Sequence, residues 1–313
     1  MARNNPIDER YSRMSIWQRI AYHKYIYIIL LPALIYYIVF KYAPMYGLVL
    51  AFKEFKHSGG ILYSPWVGLE HFKNLTINVN FITAFKNTII ISFIKIIFGF
   101  PCPIILTLLI NEMRLKKYKN VLQTIYTFPH FLSWVVVSGM CFNLFASDGV
   151  VNNVLGLMGL KDQTLLTNPT SFIGLLVGSA IWKETGWSTI LYLAAITSID
   201  TSIYEAAKID GANRFQQMIY VTIPGIAGMM ATNLILQCGH VMDAGFDQIF
   251  NMYNPAVYKV ADVIDTYVYR ISFEMTPNYG FSTAVGMFKG IVNMVLILSV
   301  NKVVKSFGQK GIL

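Results

Sequence analysis

The chain reads as an all-α polytopic membrane protein with six transmembrane helices, and three observations carry that expectation. Of its 313 residues 55% are hydrophobic and only 13% charged, with a mean hydropathy of +0.51. A soluble domain carries about 25% charged residues, so this chain has too few to solvate an ordinary globular surface. Six apolar stretches match the roughly 20 residues that a bilayer core asks of a helix. Basic residues collect in alternate connections between those stretches, which is the pattern that orients a membrane protein.

Residues 1–24 are expected to form a cytoplasmic tail, with Arg3, Arg10, Arg13, Arg19 and Lys24 ahead of the first span. Within it Ser15–His23 reads as a short interfacial helix that places Ile16, Trp17 and Ile20 on one face, or as part of a disordered tail. Residues 25–313 read as one six-span domain, because no period of 20–50 residues repeats and no linker divides it. The spans are expected near Tyr25–Tyr42, Phe85–Ile110, Val121–Phe145, Ser171–Ile199, Ile223–His240 and Thr283–Val304. The first is too long for a signal peptide core, holds Pro32 and meets no small-residue cleavage site, so it should persist in the mature protein. Pro101, Pro103 and Pro129 fall inside spans, where neighbouring helices can satisfy the freed backbone groups.

Orientation follows the basic residues. Arg114, Lys116, Lys117 and Lys119 crowd the connection after span two, Lys208 and Arg214 follow span four, and Lys302, Lys305 and Lys310 end the chain. These segments and the tail alternate correctly and put both termini in the cytoplasm. The longer connections, about 41–84, 146–170 and 241–282, then face outward. The formal charge of +9 is accounted for by this topology signal and calls for no nucleic acid. Cys102, Cys141 and Cys238 all lie in apolar stretches and read as buried small hydrophobes, with no disulfide framework and no metal site.

The most informative segment lies between spans four and five: Glu205-Ala206-Ala207-Lys208-Ile209-Asp210-Gly211-Ala212, followed by Phe215, Val221 and Ile223-Pro224. Ser202 with Glu205 reads as a capping box opening one short helix, and Asn213 with Gln216 as the start of another. Gly211 sits at the corner, where a positive φ lets the two helices fold back tightly, while the alanines keep the surface low enough to enter a groove.

This segment resembles the EAA loop of binding-protein-dependent ABC importer permeases. Gly245-Phe246-Asp247-Gln248-Ile249-Phe250, Asn254-Pro255, Asp262 through Arg270, Thr283 through Lys289, and Tyr42-Ala43-Pro44-Met45-Tyr46-Gly47 are similar to the subgroup for oligosaccharides and polysaccharide fragments. Ile199-Asp200 departs from the family's usual Ile-Pro, with Asp200 able to serve as an N-cap. The resemblance implies a type I importer permease architecture with coupling helices at about 200–224. It implies partners as well: a second homologous permease, two ATPase subunits, an extracellular solute-binding protein and the oligosaccharide itself, in a bacterial cytoplasmic membrane. Glu205, Ala206, Ala207, Asp210, Gly211, Ala212 and Pro224 would form the ATPase-coupling surface. The chain has no G-x-x-x-x-G-K-[ST] phosphate loop, so ATP and Mg belong on the partner ATPase subunits, this chain carries no cofactor, and it is not expected to be an enzyme.

Polar residues at membrane depth mark the substrate path, since a lysine near a helix centre costs about 2.5–3.5 kcal/mol to insert. Lys95, Trp182, Lys183, Trp187, Asn233, Gln237, Lys289 and Asn293 fit that description, with Glu184 beside Lys183. Asn233, Gln237 and His240 share one helix face, and Lys289 and Asn293 another. An indole can stack on a sugar ring while amides bond its hydroxyls. The same amides read equally well as interhelical hydrogen-bond partners, Lys183 as a partner of Glu184, and Trp182 as packing. Asp243, Asp247, Asp262 and Asp265 read as solvated or capping carboxylates of an outer loop. Two other functions stay open on residues alone: an ABC importer permease for peptides or other polar solutes, and an ion-coupled secondary transporter, although no inverted repeat supports the latter.

The topology is testable with single cysteines in a background lacking Cys102, Cys141 and Cys238. Cysteines at positions 117 and 211 should resist an impermeant thiol reagent applied to intact cells, and one at position 254 should react. Labelling of position 211 from outside would invert the orientation.

Overall fold

The computed structural model describes residues 15–159, 165–306, 308 and 311. Arg3, Arg10, Arg13 and Lys310 of the charge pattern lie outside the described residues, as does part of the 146–170 connection. The described residues are helical throughout apart from turns, extended loops and one isolated antiparallel bridge, Lys53 to Trp66.

Five helical runs are long and apolar enough to cross a membrane: Lys24–Phe52, Val79–Asn111, Trp134–Leu157, Arg214–Gly239 and Tyr279–Ser306. A sixth long helix, Pro169–Thr197, has 29 residues and so a length of about 43 Å. Its middle carries Lys183 and Glu184, which keeps it out of the apolar set. These six are spans one to six below.

Several span ends differ from the sequence expectation, each for a local reason. Span one runs on past Tyr42 through a π-helical turn at Ile38–Tyr42 and a 3-10 segment at Ala43–Phe52, because the π turn absorbs Pro44 without ending the helix. Span two begins at Val79, where Asn78 caps it by accepting the Phe81 N–H at 2.9 Å. Span six begins at Tyr279, with Asn278 accepting the Phe281 N–H. The short tail helix is found at Ile16–Tyr22.

The stretch Val121–Phe145 is not one helix. An amphipathic segment, Lys116–Thr127, ends in a 3-10 turn at Phe128–Phe131, and a new helix starts at Trp134 with Ser133 as N-cap, its hydroxyl accepting the Val136 N–H. Pro129 supplies the break, having no N–H to continue the ladder, and the Ser133 cap restarts the helix. The second piece, Trp134–Phe145, is followed after a turn by Val150–Leu157.

Span four is the central post. It packs against both halves of span two, against Lys116–Phe131, and against span five, while span six packs against span five and against Ala43–Phe52. Small and hydroxylated residues allow the close approach. Thr107 and Thr189 are wholly buried where spans two and four cross, and each hydroxyl bonds a carbonyl of its own helix, Pro103 and Thr185. At Gly186 a side chain has no room: a Cβ there would lie 1.9 Å from the Tyr126 carbonyl oxygen. By contrast, every residue of 24–42 is exposed.

At the end of span five opposite the 200–224 corner, the segment 240–274 folds back over the spans. It contains short helices at Phe246–Met252, Tyr258–Ala261 and Ile264–Tyr269, which bury Ile249, Met252, Val257, Ala261 and Val263 against Ile91, Val137, Phe172 and Leu176. Asn87 of span two ties it down, its amide donating to the carbonyls of Lys259 and Asp262.

Gly186→Ala should lower the melting temperature of the detergent-solubilised protein by an amount corresponding to about 1–3 kcal/mol, since backbone rather than a flexible tip meets the new methyl. Gly178→Ala, whose Cβ would meet nothing within 4 Å, should leave melting unchanged. Equal melting of the two variants would contradict the tight crossing.

Candidate functional site

The corner between spans four and five is built from the backbone outward. Its first helix, Thr201–Ile209, is capped by Asp200, whose carboxylate accepts the Ser202 N–H at 2.9 Å. That bond holds Asp200 below the usual carboxylate range. Ser202 therefore lies within the helix and is not the cap, contrary to the capping-box expectation. The helix ends in a Schellman turn: the Ala212 N–H reaches the Ala207 carbonyl at 2.9 Å and the Gly211 N–H reaches Lys208 at 3.1 Å. Gly211 has φ +81°, the left-handed conformation that this turn requires. Asn213 and Gln216 then form a reciprocal capping box for Arg214–Gln217.

Two contacts tie the corner to the spans. Tyr204 and Thr222 share a hydroxyl hydrogen bond at 2.9 Å, and Arg214 meets Glu112 at the inner end of span two at 3.4 Å. Pro224 sits in the first turn of the helix Ile223–Gly239. Glu205, Ala206, Asp210 and Gly211 are exposed, and Ala207 and Ala212 half-buried. Around them Ile209 is 86% exposed and Phe215 64%, so the surface presented is apolar with a charged rim of both signs, Glu205 and Asp210 beside Lys208 and Arg214.

A cavity of about 470 Å³ lies between spans two, four and five beneath the 240–274 return segment. Its polar lining includes Lys95, Glu184, Ser188, Gln237, His240 and Gln248, with the Trp134 indole on one wall. Of the eight residues expected along a substrate path, Lys95 and Gln237 line it. Trp182 faces a separate, more apolar pocket with Cys141 and Phe145. Trp187 stacks on His130, ring centroids 4.5 Å apart. Asn233 donates to the Tyr192 hydroxyl at 2.8 Å, and Asn293 accepts the Met242 N–H at 3.2 Å, so both amides join elements of the fold.

The remaining two lysines are paired. Lys183, 6% exposed, donates to the His130 carbonyl at 2.7 Å and meets Glu184 at 3.2 Å, above the Trp134 ring. His130 in turn meets the other Glu184 oxygen at 2.8 Å, which anchors the Pro129 break to span four. Lys289 lies 2.7 Å from both Asp243 and Asp265. Burial pushes Asp265 up despite that partner. Burial acts on Asp243 in the same sense, but hydrogen bonds from Lys289 and His240 outweigh it and hold Asp243 down.

The outer acidic residues are thus largely not solvated caps. Asp262 forms a two-point pair with Arg270 and accepts the Thr266 hydroxyl at 2.8 Å. The residue that sequence reasoning missed is Gln248. It is 1% exposed, donates to the Leu176 carbonyl and the Ser179 hydroxyl, and accepts from Lys95 at 2.6 Å. Its place in the run Phe246-Asp247-Gln248-Ile249-Phe250, among residues with helical apolar spacing, was the available signal. Among the described residues no cluster of three or more His, Cys, Asp or Glu could hold a metal ion, and Cys102, Cys141 and Cys238 are unbridged.

Residues 93–307 match the family model described as binding-protein-dependent transport system inner membrane component. The chain is 39% identical over 307 residues to the polygalacturonan/rhamnogalacturonan transport system permease protein YteP of Bacillus subtilis, covering 98% of this chain and 95% of that protein. Protein LplB of the same organism is 40% identical over 290 residues, covering 92% and 91%. Among solved structures, a bacterial ABC transporter involved in import of the acidic polysaccharide alginate superposes with a TM-score of 0.86 at 40% identity, covering 93% of this chain and 98% of that one. The alginate transporter in complex with an alginate pentasaccharide-bound periplasmic protein gives 0.87 at 38% identity, covering 95% and 99%.

Proposed function

The chain belongs to the binding-protein-dependent transport system inner membrane components, the permease subunits of ABC importers, and on that premise we propose that it admits oligosaccharides or polysaccharide fragments released by an extracellular solute-binding protein. The observation that carries the proposal is near-full-length similarity to a polygalacturonan/rhamnogalacturonan permease and to a chain of an importer of the acidic polysaccharide alginate, joined to a cavity lined by amides, hydroxyls and an indole. The chain is a multi-pass membrane transport subunit and not an enzyme. An ion-coupled secondary transporter does not fit that family, and YteP and the alginate importer are named for polysaccharides and not for peptides.

In the proposed complex this chain pairs with a second homologous permease, and two ATPase subunits carry ATP and Mg. Both termini and the corner Glu205–Pro224 face the cytoplasm. Glu205, Ala206, Ala207, Asp210, Gly211 and Ala212 enter a cleft on one ATPase subunit, with Ile209 and Phe215 as apolar anchors. Closure of the ATPase pair pushes on the corner. Because the Schellman turn and the Tyr204–Thr222 bond make it stiff, the push moves spans four and five and opens the cavity outward. Alternating access then needs no chemistry on this chain.

Calorimetric titration of the cognate binding protein tests the substrate class: uronic-acid oligosaccharides should bind and short peptides should not, and the reverse would replace the proposal. Coupling is tested by Gly211→Val and Glu205→Lys. A β-branched residue at φ +81° carries strain of about 1–3 kcal/mol, and the second change reverses a rim charge. Transport and substrate-stimulated ATP hydrolysis should fall together in both variants while membrane insertion is unchanged. Wild-type rates in either variant, correctly assembled, would remove the coupling assignment.

A further inference from the structure

We infer that Lys95 forms a carboxylate subsite in the central cavity, the point at which the permease itself distinguishes acidic from neutral sugars. This rests on the oligosaccharide reading above. Three lysines occupy the spans at depth, and their surroundings separate them. Lys183 is neutralised by Glu184, and Lys289 by Asp243 and Asp265. Lys95 has only neutral acceptors, the Ala244 carbonyl at 2.8 Å and the Gln248 side-chain oxygen at 2.6 Å. None of the ion pairs among the described residues includes it.

An ammonium has three donors, so two bonds leave one N–H and the whole unit charge available. Lys95 lines the cavity of about 470 Å³. The other charged side chain in that lining is Glu184, already held by Lys183 at 3.2 Å and His130 at 2.8 Å. The cavity therefore presents a net positive charge at the Lys95 head. In a low-dielectric surrounding, a charge balanced only by dipoles is stabilised further by an anion, and a carboxylate on the passing solute supplies one. Gln237 and Ser188 offer hydrogen bonds to hydroxyls, and the Trp134 indole a face for a ring. Sugar contacts here are general, and the charge contact is selective. Gln248 and Gly245 keep the ammonium in place: a Cβ at Gly245 would lie 2.9 Å from Lys95 Nζ, on a backbone with φ +86°.

The test uses the complete transporter in proteoliposomes with its binding protein, and two labelled probes of equal length: trigalacturonate and its methyl ester, which keeps the ring and removes the charge. The binding protein is the same throughout, so the change in the acid-to-ester uptake ratio between wild type and variant isolates the permease. Lys95→Gln should lower that ratio about tenfold, the size of one charged hydrogen bond. Lys95→Arg should hold the ratio within about twofold. Lys95→His should give a ratio that rises as the pH falls through about 6.5, where imidazole gains its proton. Equal loss of both probes in Lys95→Gln, or a flat pH profile in Lys95→His, would make Lys95 a structural tie to Ala244 and Gln248 and overturn the subsite. Should Lys95→Gln fail to assemble, the pH profile of Lys95→His decides by itself. Wild-type import of the ester with none of the acid also overturns the subsite while leaving oligosaccharide import standing. Import of neither probe refutes the oligosaccharide reading itself.

Discussion

Gln248 is buried where three parts of the chain meet, and its amide satisfies all of them. The nitrogen donates to Leu176 and Ser179 of span four, and the oxygen accepts from Lys95 of span two. Through its backbone the residue belongs to the return segment that roofs the cavity. Polar groups at membrane depth must find partners, and this amide supplies them from within the protein. The left-handed backbone at Ala244 and Gly245 turns the chain sharply enough to deliver the side chain. Without Gln248 the Lys95 ammonium would keep a single acceptor, and the roof would lose its hydrogen bonds to Leu176 and Ser179 of span four.

The same constraint organises the rest of the interior. Lys183, Glu184 and His130 satisfy one another at the Pro129 break, so a proline that interrupts one helix is used to dock that helix on another. Lys289 gathers Asp243 and Asp265, joining span six to the two ends of the return segment. Ser92 donates to the Val241 carbonyl and Asn293 accepts the Met242 N–H, pinning the turn that follows span five. Span four carries two of these ties, at Leu176 and Ser179 and at Lys183 and Glu184, and ends at the corner that leads into span five. In the proposed mechanism a displacement of the corner is transmitted along this one continuous helix to the cavity wall.

Sequence periodicity and charge made the six spans legible, because length and apolarity are set by the bilayer and not by neighbours. Gly211 was equally legible: a glycine between an alanine-rich helix and an Asn cap has few other uses. For the cap the sequence offered two candidates, and the structure takes Asp200 and not Ser202. Ser202 and Asp200 both offer a suitable acceptor, and only the backbone path shows which one precedes the helix. The break at Phe128–Ser133 was hidden because Pro129 sits in an apolar run, where proline is often tolerated. Lys183 read as a partner of the adjacent Glu184 and meets it at 3.2 Å, whereas Lys95 and Lys289 looked alike in sequence. Their partners lie in distant or oppositely placed segments, such as Gln248 and Ala244 for Lys95, and tertiary structure alone separates a paired lysine from one whose charge stays open. The outer carboxylates were read as solvated for the same reason, since Asp262 finds Arg270 eight positions on only because the intervening chain is helical.

In the proposed mechanism ATP hydrolysis on partner subunits, delivered through the corner Glu205–Pro224, drives sugar across the cavity of this chain. Uptake of a labelled oligogalacturonate into proteoliposomes carrying the whole complex tests it most directly. Accumulation should require ATP on the corner side and binding protein on the opposite side, and should persist when ionophores collapse every ion gradient. Uptake that runs without ATP and disappears with a proton or sodium gradient would contradict the account.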